Sequence, residues 1–260
     1  MQQHLFDLHG KVALITGGNG GIGLGMAEGL AAAGCDVCIW GTNADKNAAA
    51  LAQLQVHGTR VSAQVCDVSD GEAVAASFAE ALATHGRVDG CFANAGIGGR
   101  GTAFDAMTDA EWHRIMDVNL HGVFHTFRAA TRHMRSRAEN GDSFGRLVGT
   151  ASLAAISGQA RGEHYAATKG GLIAMMKALA VEYARYGVTA NSILPGWIET
   201  DMTQGSMNNA KFVANVKQRI PSRRWGQAAD FAGIAVYLMS DASSYHSADT
   251  FLIDGGYAAF

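Results

Sequence analysis

Lys11-Val-Ala-Leu-Ile-Thr-Gly-Gly-Asn-Gly-Gly-Ile-Gly23 is the stretch of sequence that decides the fold. Residues 11–16 form a short apolar run, residues 17–23 are rich in glycine, and residues 24–33 continue with the small and apolar residues of a helix. This order predicts a strand, a phosphate-binding turn and a helix, because glycine lets the backbone approach a pyrophosphate and a helix N-terminus attracts its charge. A Gly-rich turn alone also serves any tight connection between a strand and a helix, so the rest of the chain must decide.

The alternation of strand and helix continues along the chain. Further strands are predicted at residues 36–40, 61–66, 88–94, 146–151, 188–194 and 250–253. Further helices are predicted at residues 43–56, 70–85, 109–137 with an interruption at Asn119, from 163 onwards, 210–219 and 227–239. Strands that alternate with helices of this length form a parallel sheet covered on both faces, which is an α/β architecture.

Length and composition predict one domain, residues 1–260, with 48% hydrophobic residues. The formal net charge of -3 offers no basic field, so neither nucleic acid nor an anionic membrane is expected as a partner. The first ten residues lack the basic and apolar regions of a signal peptide, which predicts a cytoplasmic protein. Residues 196–222 are rich in Met, Asn and Gln and lack a strand pattern, so we expect a mobile substrate loop there.

Cysteine and histidine do not form a convincing metal or redox site in the sequence. Cys35 and Cys38 make a CxxC pair, but residues three apart on a strand point to opposite faces, and no second pair exists. The four cysteines lie in or beside apolar runs and are predicted to be buried thiols in a reducing compartment. His121 and His125 share a helix face without a third ligand, so no metal is predicted.

Ser152, Tyr165 and Lys169 form a candidate proton-transfer site. Tyr165 and Lys169 are four residues apart in a helical pattern, so their side chains lie on one face. A cation held ~4 Å from a phenol at an effective dielectric of ~20 is worth ~4 kcal/mol, which lowers the pKa by up to about three units. We therefore expect Lys169 to bring Tyr165 towards the range of a general acid or base. The same spacing also occurs on ordinary helix surfaces, and a Ser after a strand is equally typical of a helix cap.

The sequence resembles the short-chain dehydrogenase/reductase family from residue 11 to residue 257. The motifs that match are Thr16-Gly17-x-x-x-Gly21-x-Gly23, Asp67-Val68, Asn94-Ala95-Gly96, Asn119, Ser152, Tyr165-x-x-x-Lys169, Pro195-Gly196 with Thr200, and Asp254-Gly255-Gly256. Each motif is weak alone, but all of them occur in the order and at the spacing of the family. Ala93 stands where the family usually has Asn, and Ser247-Ala248 replaces the usual Thr-Gly.

The resemblance implies a Rossmann-type doubly wound sheet of about seven parallel strands with helices on both faces. It also implies an NAD(P)-dependent oxidoreductase that interconverts a secondary alcohol and a ketone. By similarity, Tyr165 exchanges a proton with the substrate oxygen and Ser152 hydrogen-bonds that oxygen. Lys169 lowers the pKa of Tyr165 and holds the nicotinamide ribose, and Asn119 anchors a water that relays protons through Lys169. Many members are homotetramers, so we expect association through the long helices.

The same comparison with the family places residues around the cofactor and the substrate. The expected cofactor-binding residues are Gly17, Asn19, Gly21, Ile22, Gly23, Thr42, Asn43, Asp67, Val68, Asn94, Ala95, Gly96, Tyr165, Lys169, Pro195, Gly196, Ile198 and Thr200. The expected substrate-binding residues are Ser152, Leu153, His164, Tyr165 and Trp197, and Gln159, Met202 and Met207 are further candidates for a mainly apolar wall.

The choice between NAD and NADP depends on charge after the second strand. Members that use NADP often carry a basic residue where this chain has Gly20 or Thr42, and members that use NAD carry an acidic residue where it has Gly41. Binding of the charged 2′-phosphate of NADP depends more strongly on a cation than binding of the NAD ribose depends on an acidic side chain. The sequence therefore favours NAD, with NADP as the alternative.

Two other functions remain open at this point. A nucleotide-binding regulator would keep the fold without turnover, but all four of the catalytic positions are filled here. An enoyl reductase would act on a carbon-carbon double bond, but such relatives usually have a longer spacing between Tyr and Lys. The substrate itself is not predicted.

Overall fold

The computed structural model describes residues 5–99 and 101–259. A single seven-stranded sheet has the order β3-β2-β1-β4-β5-β6-β7, and its neighbouring strands pair in parallel. The strands are β1 Val12–Thr16, β2 Asp36–Gly41, β3 Val61–Val65, β4 Gly90–Ala93, β5 Gly145–Thr150, β6 Val188–Pro195 and β7 Thr250–Ile253. The predicted Rossmann-type α/β sheet is confirmed, including all seven strands.

Helices connect the strands and cover both faces of the sheet. They are α1 Gly21–Ala32, α2 Ala44–Gln55, α3 Gly71–His85, α4 Asp109–Met116, α5 Gly122–Glu139, α6 Glu163–Tyr183, α7 Gln204–Met207, α8 Ala210–Lys217 and α9 Ala232–Met239. No helix within the described ranges has the length and apolarity needed to cross a membrane.

The two faces of the sheet carry separate cores. One core contains Met26 of α1 and Phe231 before α9, while the other contains Phe127 of α5 and Met176 of α6. Such burial supplies the main free energy of folding, since each fully buried large apolar side chain contributes about 1.5–3 kcal/mol. Cys35 belongs to the first core and Cys38 to the second, so the two thiols do point to opposite faces as predicted.

Three element boundaries differ from the sequence prediction. The predicted helix at 109–137 is divided into α4 and α5 by a π-helical segment, Asp117–His121. The predicted helix at 227–239 begins with a 3-10 turn, Ala228–Phe231. The loop at 196–222 holds α7 in addition to the expected α8. Periodicity alone detects helical segments, but hydrogen-bond type depends on tertiary contacts that it does not record.

Candidate active site

A cleft of about 770 Å³ lies at the carboxyl ends of the strands. The sheet order reverses between β1 and β4, and such a switch point is where open α/β sheets bind ligands. The cleft falls within the range of about 300–1,000 Å³ for small-molecule sites. Its wall combines the Gly-rich turn, the segment after β4, the end of β5, α6 and the loop after β6.

The cofactor residues of the Gly-rich turn and of the β4 end are brought together. Asn94 Nδ2 donates to the main-chain oxygens of Thr16 at 3.1 Å and of Gly17 at 3.3 Å. Thr16 Oγ1 accepts from the amides of Asn94 and Ala95, both at 3.0 Å. The two segments therefore form one rigid wall, and Asn94 has a structural role that its position at a strand end did not reveal.

This wall fits a dinucleotide. Gly17 has a φ of +63°, and a Cβ on Gly23 would collide with the Gly17 carbonyl, so both positions require glycine. Gly20 is the N-cap of α1 and has no side chain to occupy the free N–H groups of the first turn. A Cβ on Gly20 would meet nothing within 4 Å, which leaves the helix N-terminus open to a phosphate.

Several predicted cofactor residues lie outside the cleft wall. Gly23 lies beneath it, and the side chain of Asn43 accepts the amide of Lys46 as the N-cap of α2. Asp67 is exposed and binds Ser69 through one carboxylate oxygen. Val68 is buried, with its side chain close to Gly122. Thr42 is exposed at the end of β2 and also does not line the cleft.

The end of β2 is closed by two amide side chains. Asn19 Nδ2 donates to Asn47 Oδ1 at 2.7 Å, and Asn47 Nδ2 donates to the main-chain oxygens of Gly41 and Gln64, both at 3.0 Å. A Cβ on Gly41 would collide with Asn19. The Asn19–Asn47 pair therefore fills the position at which related sequences carry an acidic side chain. The family motifs had not indicated a role for Asn47.

Ser152, Tyr165 and Lys169 meet in the cleft wall as predicted. β5 places Ser152 two residues after its last residue, and the first turns of α6 place Tyr165 and Lys169 on one side of the helix. The Lys169 ammonium lies 5.6 Å from the centroid of the Tyr165 ring and donates to the Thr150 carbonyl at 2.8 Å. That hydrogen bond fixes Lys169 against the end of β5.

Burial controls the pKa values of this group. It raises the pKa of Tyr165, and the hydrogen bond from the Ser152 side chain acts in the opposite direction. It lowers the pKa of Lys169 to about 8, because the ammonium is removed from water. The predicted lowering of the Tyr165 pKa by Lys169 is thus not seen in this arrangement. Tyr165 keeps its proton at neutral pH and is suited to donate it.

Asn119 is completely buried in the π-helical segment. Its Oδ1 accepts the amide of Ile97 at 2.8 Å, and its Nδ2 donates to the Ile97 carbonyl at 2.9 Å. A Cβ on Gly96 would lie 3.2 Å from Asn119 Oδ1 and 3.5 Å from Lys169 Nζ. The predicted interruption of the helix at Asn119 is observed as this local distortion, and the Asn119 amide holds the segment that follows β4.

The predicted substrate residues divide into two groups. Ser152, Leu153, Tyr165 and Trp197 line the cleft, together with Gln159 and Met202. His164 and Met207 do not, so their predicted place in the wall is wrong. His164 is 2% exposed and packs under Gly99, because it lies on the side of α6 that faces the segment after β4.

Two polar pairs of side chains in the cleft wall were not predicted. Lys46 and Asp201 form an ion pair at 2.5 Å, and Arg219 contacts Tyr257. Lys46 belongs to α2, Asp201 to the loop after β6, Arg219 to the segment just after α8, and Tyr257 to the segment after β7. No short motif joins such distant positions, so only the folded chain brings them to one cleft.

The sequence predicted no metal site because Cys and His residues lack a ligand pattern. In residues 5–99 and 101–259, no group of three or more His, Cys, Asp or Glu side chains is arranged to hold a metal ion. His121 is exposed and contacts Asp117 at 3.0 Å.

Comparison with known proteins identifies the protein family. The family model described as enoyl-(acyl carrier protein) reductase matches residues 17–258. The 2-dehydro-3-deoxy-D-gluconate 5-dehydrogenase of Escherichia coli K12 is 34% identical over 254 residues, which cover 98% of each chain. Levodione reductase of Leifsonia aquatica is 35% identical over 257 residues, or 96% of this chain and 94% of that one.

The fold is also similar to that of a solved structure. The gluconate 5-dehydrogenase of Burkholderia cenocepacia J2315, in complex with NADP and tartrate, superposes with a TM-score of 0.91 at 35% identity and 98% coverage of both chains. The protein belongs to the short-chain dehydrogenase/reductase family. It is an NAD(P)-dependent oxidoreductase of alcohols and ketones, as the sequence predicted.

Proposed function

We propose that Tyr165 is the general acid and base of a ketone and secondary-alcohol interconversion. The observation that carries this proposal is the half-buried Tyr165 phenol, which lines the cleft beside Ser152 and lies four residues from Lys169. Tyr165 gives its proton to the substrate oxygen during reduction and takes it back during oxidation. A bound nicotinamide supplies or accepts the hydride.

The neighbouring residues position the substrate and the proton. Ser152 orients the substrate oxygen by a hydrogen bond, and Leu153 and Trp197 provide apolar parts of the cleft wall. Lys169, with a pKa near 8, is mostly protonated at neutral pH but releases its proton more readily than an ordinary lysine, so it can exchange protons near Tyr165. Lys169 also holds the nicotinamide ribose in this proposal. His164 supports Gly99 from below instead of touching the substrate.

Asn119 is proposed as a positioning residue. Its amide holds both main-chain groups of Ile97, and thereby the Asn94–Gly96 segment that faces the cofactor. The water relay implied by family resemblance stays a prediction. Gly17, Gly21 and Ile22 would hold the pyrophosphate, and Pro195, Gly196, Ile198 and Thr200 would complete the cofactor site.

The proposed cofactor is NAD(H). Gly41 stands where an acidic residue would favour NAD, so that signal is missing. The Lys46 ammonium in the cleft wall is paired with Asp201, so it does not offer a free cation to the 2′-phosphate of NADP. The related gluconate 5-dehydrogenase structure contains NADP, so this chain's own charges must decide the preference. A ratio of kcat/KM values above one for NADH over NADPH is the expected result, and a ratio below one would reverse the proposal.

We also propose a single catalytic domain with a substrate loop at 196–222 that works as a cytoplasmic homotetramer. Cys35, Cys38, Cys66 and Cys91 are buried free thiols, which fits a reducing compartment. Phe124 on α5 and Val181 on α6 are exposed apolar side chains on the helices that cover one face of the sheet. Such positions fit association through the long helices.

Deuterium transfer tests the proposed reaction. The enzyme is incubated with NADH deuterated at C4 and with a panel of ketones, cyclic diketones, keto acids and enoyl thioesters, and the products are analysed by NMR. We expect deuterium on the carbinol carbon of a ketone-derived product. Deuterium only on the carbon chain of an enoyl thioester would show an enoyl reductase. Cofactor binding without any transfer would favour a regulator.

A further inference from the structure

Arg219 and Tyr257 form a polar pair in the cleft wall that the proposed catalytic group does not use. Arg219 Nη1 donates to the Tyr257 hydroxyl at 3.0 Å, and the guanidinium carbon lies 4.5 Å from the centroid of the Tyr257 ring. Both residues line the same cleft as Ser152 and Tyr165. Arg219 therefore belongs to the same cavity as the proposed reaction site.

The backbone on both sides of this pair is fixed by packing. Val216 and Ile220 flank Arg219 and are buried, and the amide of Ser222 donates to the Gly255 carbonyl at 3.1 Å. Pro221 packs against Gly256, directly before Tyr257. Two segments far apart in sequence are thus joined beside the pair, so the guanidinium does not depend on a free loop for its position.

Among the described residues, no acidic side chain neutralises the charge of Arg219. Among the residues that line the cleft, the cations are Lys46, Lys169 and Arg219. Lys46 is paired with Asp201, and Lys169 is buried and bound to a carbonyl. Within the described part of the chain, no carboxylate lies at ion-pair distance from Arg219, and its partner Tyr257 is a phenol.

The order of the strands separates the cations of the cleft. Lys46 follows β2, on one side of the Gly-rich turn that follows β1, whereas Tyr257 follows β7 on the other side. Ser152, after β5, lies between these two ends. A dinucleotide held by the Gly-rich turn and reaching the end of β5 would leave the Arg219 end of the cleft to the substrate.

We infer that Arg219, held by Tyr257, binds a carboxylate of the substrate, so that the enzyme acts on hydroxy acids and the matching keto acids. A guanidinium presents a planar fork of N–H donors that matches a carboxylate, and only one of its donors is used by Tyr257. This inference rests on the proposed function, because it takes the reacting carbon to lie at Tyr165. It goes beyond that function by assigning the charge of the substrate.

Binding to matched acid and amide probes tests this inference. D-gluconate is compared with D-gluconamide, and 3-hydroxybutyrate with 3-hydroxybutyramide, by isothermal titration of the full protein saturated with cofactor. We expect the wild type to bind at least one acid about tenfold more tightly than its amide, since hydrogen bonds to charged groups exceed neutral ones. Arg219→Gln should abolish this difference, and Arg219→Lys should keep part of it because the charge remains.

Arg185 provides a matched control. It also donates to a tyrosine hydroxyl, that of Tyr186 at 2.8 Å, and lies over that ring at 4.8 Å, but it does not line the cleft. Arg185→Gln should keep the preference for the acid. Tyr165→Phe should also keep it, so a failure of the catalytic proposal is separable from a failure here. Equal binding of acid and amide in every pair by the wild type, or a preference that survives Arg219→Gln, would overturn the inference.

Discussion

At the scale of single residues, burial decides the chemistry of the site. The spacing of Tyr165 and Lys169 was sufficient to predict that the two side chains share one helix face. The spacing does not show how far the two side chains are removed from water. Burial raises the pKa of Tyr165, whereas the sequence had predicted that Lys169 would lower it. The meeting of these side chains in one cleft was therefore predictable from the sequence, whereas their protonation required the packed structure.

The pH dependence of the free energy of unfolding, compared between the wild type and Lys169→Met, tests whether the pKa of Lys169 is lowered. The unfolded lysine has a pKa of 10.5 and the folded one about 8, so the native state binds fewer protons than the unfolded state between these values. Burying the ammonium therefore costs stability below pH 8, and this cost disappears as the pH rises towards 10.5. It amounts to at most about 3 kcal/mol. The difference in free energy of unfolding, wild type minus Lys169→Met, should increase between pH 7.5 and 10 in urea titrations.

The difference between the two proteins isolates Lys169 from the cysteines and tyrosines that titrate in the same range. A difference that stays flat across this pH range would show that the Lys169 pKa is not lowered by burial.

At the scale of elements, the π-helical segment Asp117–His121 is the feature that connects helix structure to the site. The sequence indicated an interruption at Asn119, because Asn in a helix competes for backbone hydrogen bonds. It did not indicate the partner, since Ile97 is 22 residues away. The distortion turns Asn119 inwards, where its amide holds the segment after β4.

Asn119→Ala should destabilise the protein by about 2 kcal/mol, because two buried main-chain groups of Ile97 lose their partner. Hydrogen exchange at the Ile97 amide should accelerate at the same time. Asn140→Ala is the control, since Asn140 binds a carbonyl at an exposed helix end, and it should change stability by less than about 0.5 kcal/mol. Equal unfolding curves for Asn119→Ala and the wild type would contradict the positioning role.

At the scale of the whole molecule, the sheet order gathers residues that no motif relates. The alternation of strands and helices predicted the seven strands, and the family resemblance assigned the Gly-rich turn, Asn94 and Ser152 to one site. It did not predict that Lys46 and Asp201, 155 residues apart, form an ion pair in the same cleft. Long-range side-chain pairs of this kind depend on how α2 and the loop after β6 pack, which local pattern does not encode.

Asp201→Asn should shift cofactor use towards NADPH. Removal of the carboxylate frees Lys46, whose ammonium then attracts a 2′-phosphate. An exposed ion pair is worth about 0.2–1 kcal/mol, so the ratio of kcat/KM for NADPH over NADH should rise by up to about fivefold. Glu199→Gln makes the same charge change in the same loop outside the cleft wall, and it should leave the ratio unchanged. A ratio that does not rise in Asp201→Asn would mean that Lys46 does not face the 2′-position.

The most direct measurement for the whole account is turnover by Tyr165→Phe together with its affinity for NADH. The substitution removes one hydroxyl and keeps the ring that packs beside Ser152 and Lys169. We expect ketone reduction to fall by about 10²- to 10⁴-fold, as for the loss of a general acid, with an unchanged dissociation constant for NADH from fluorescence titration. A variant that binds NADH normally and keeps more than about a tenth of the wild-type rate would contradict Tyr165 as the proton donor.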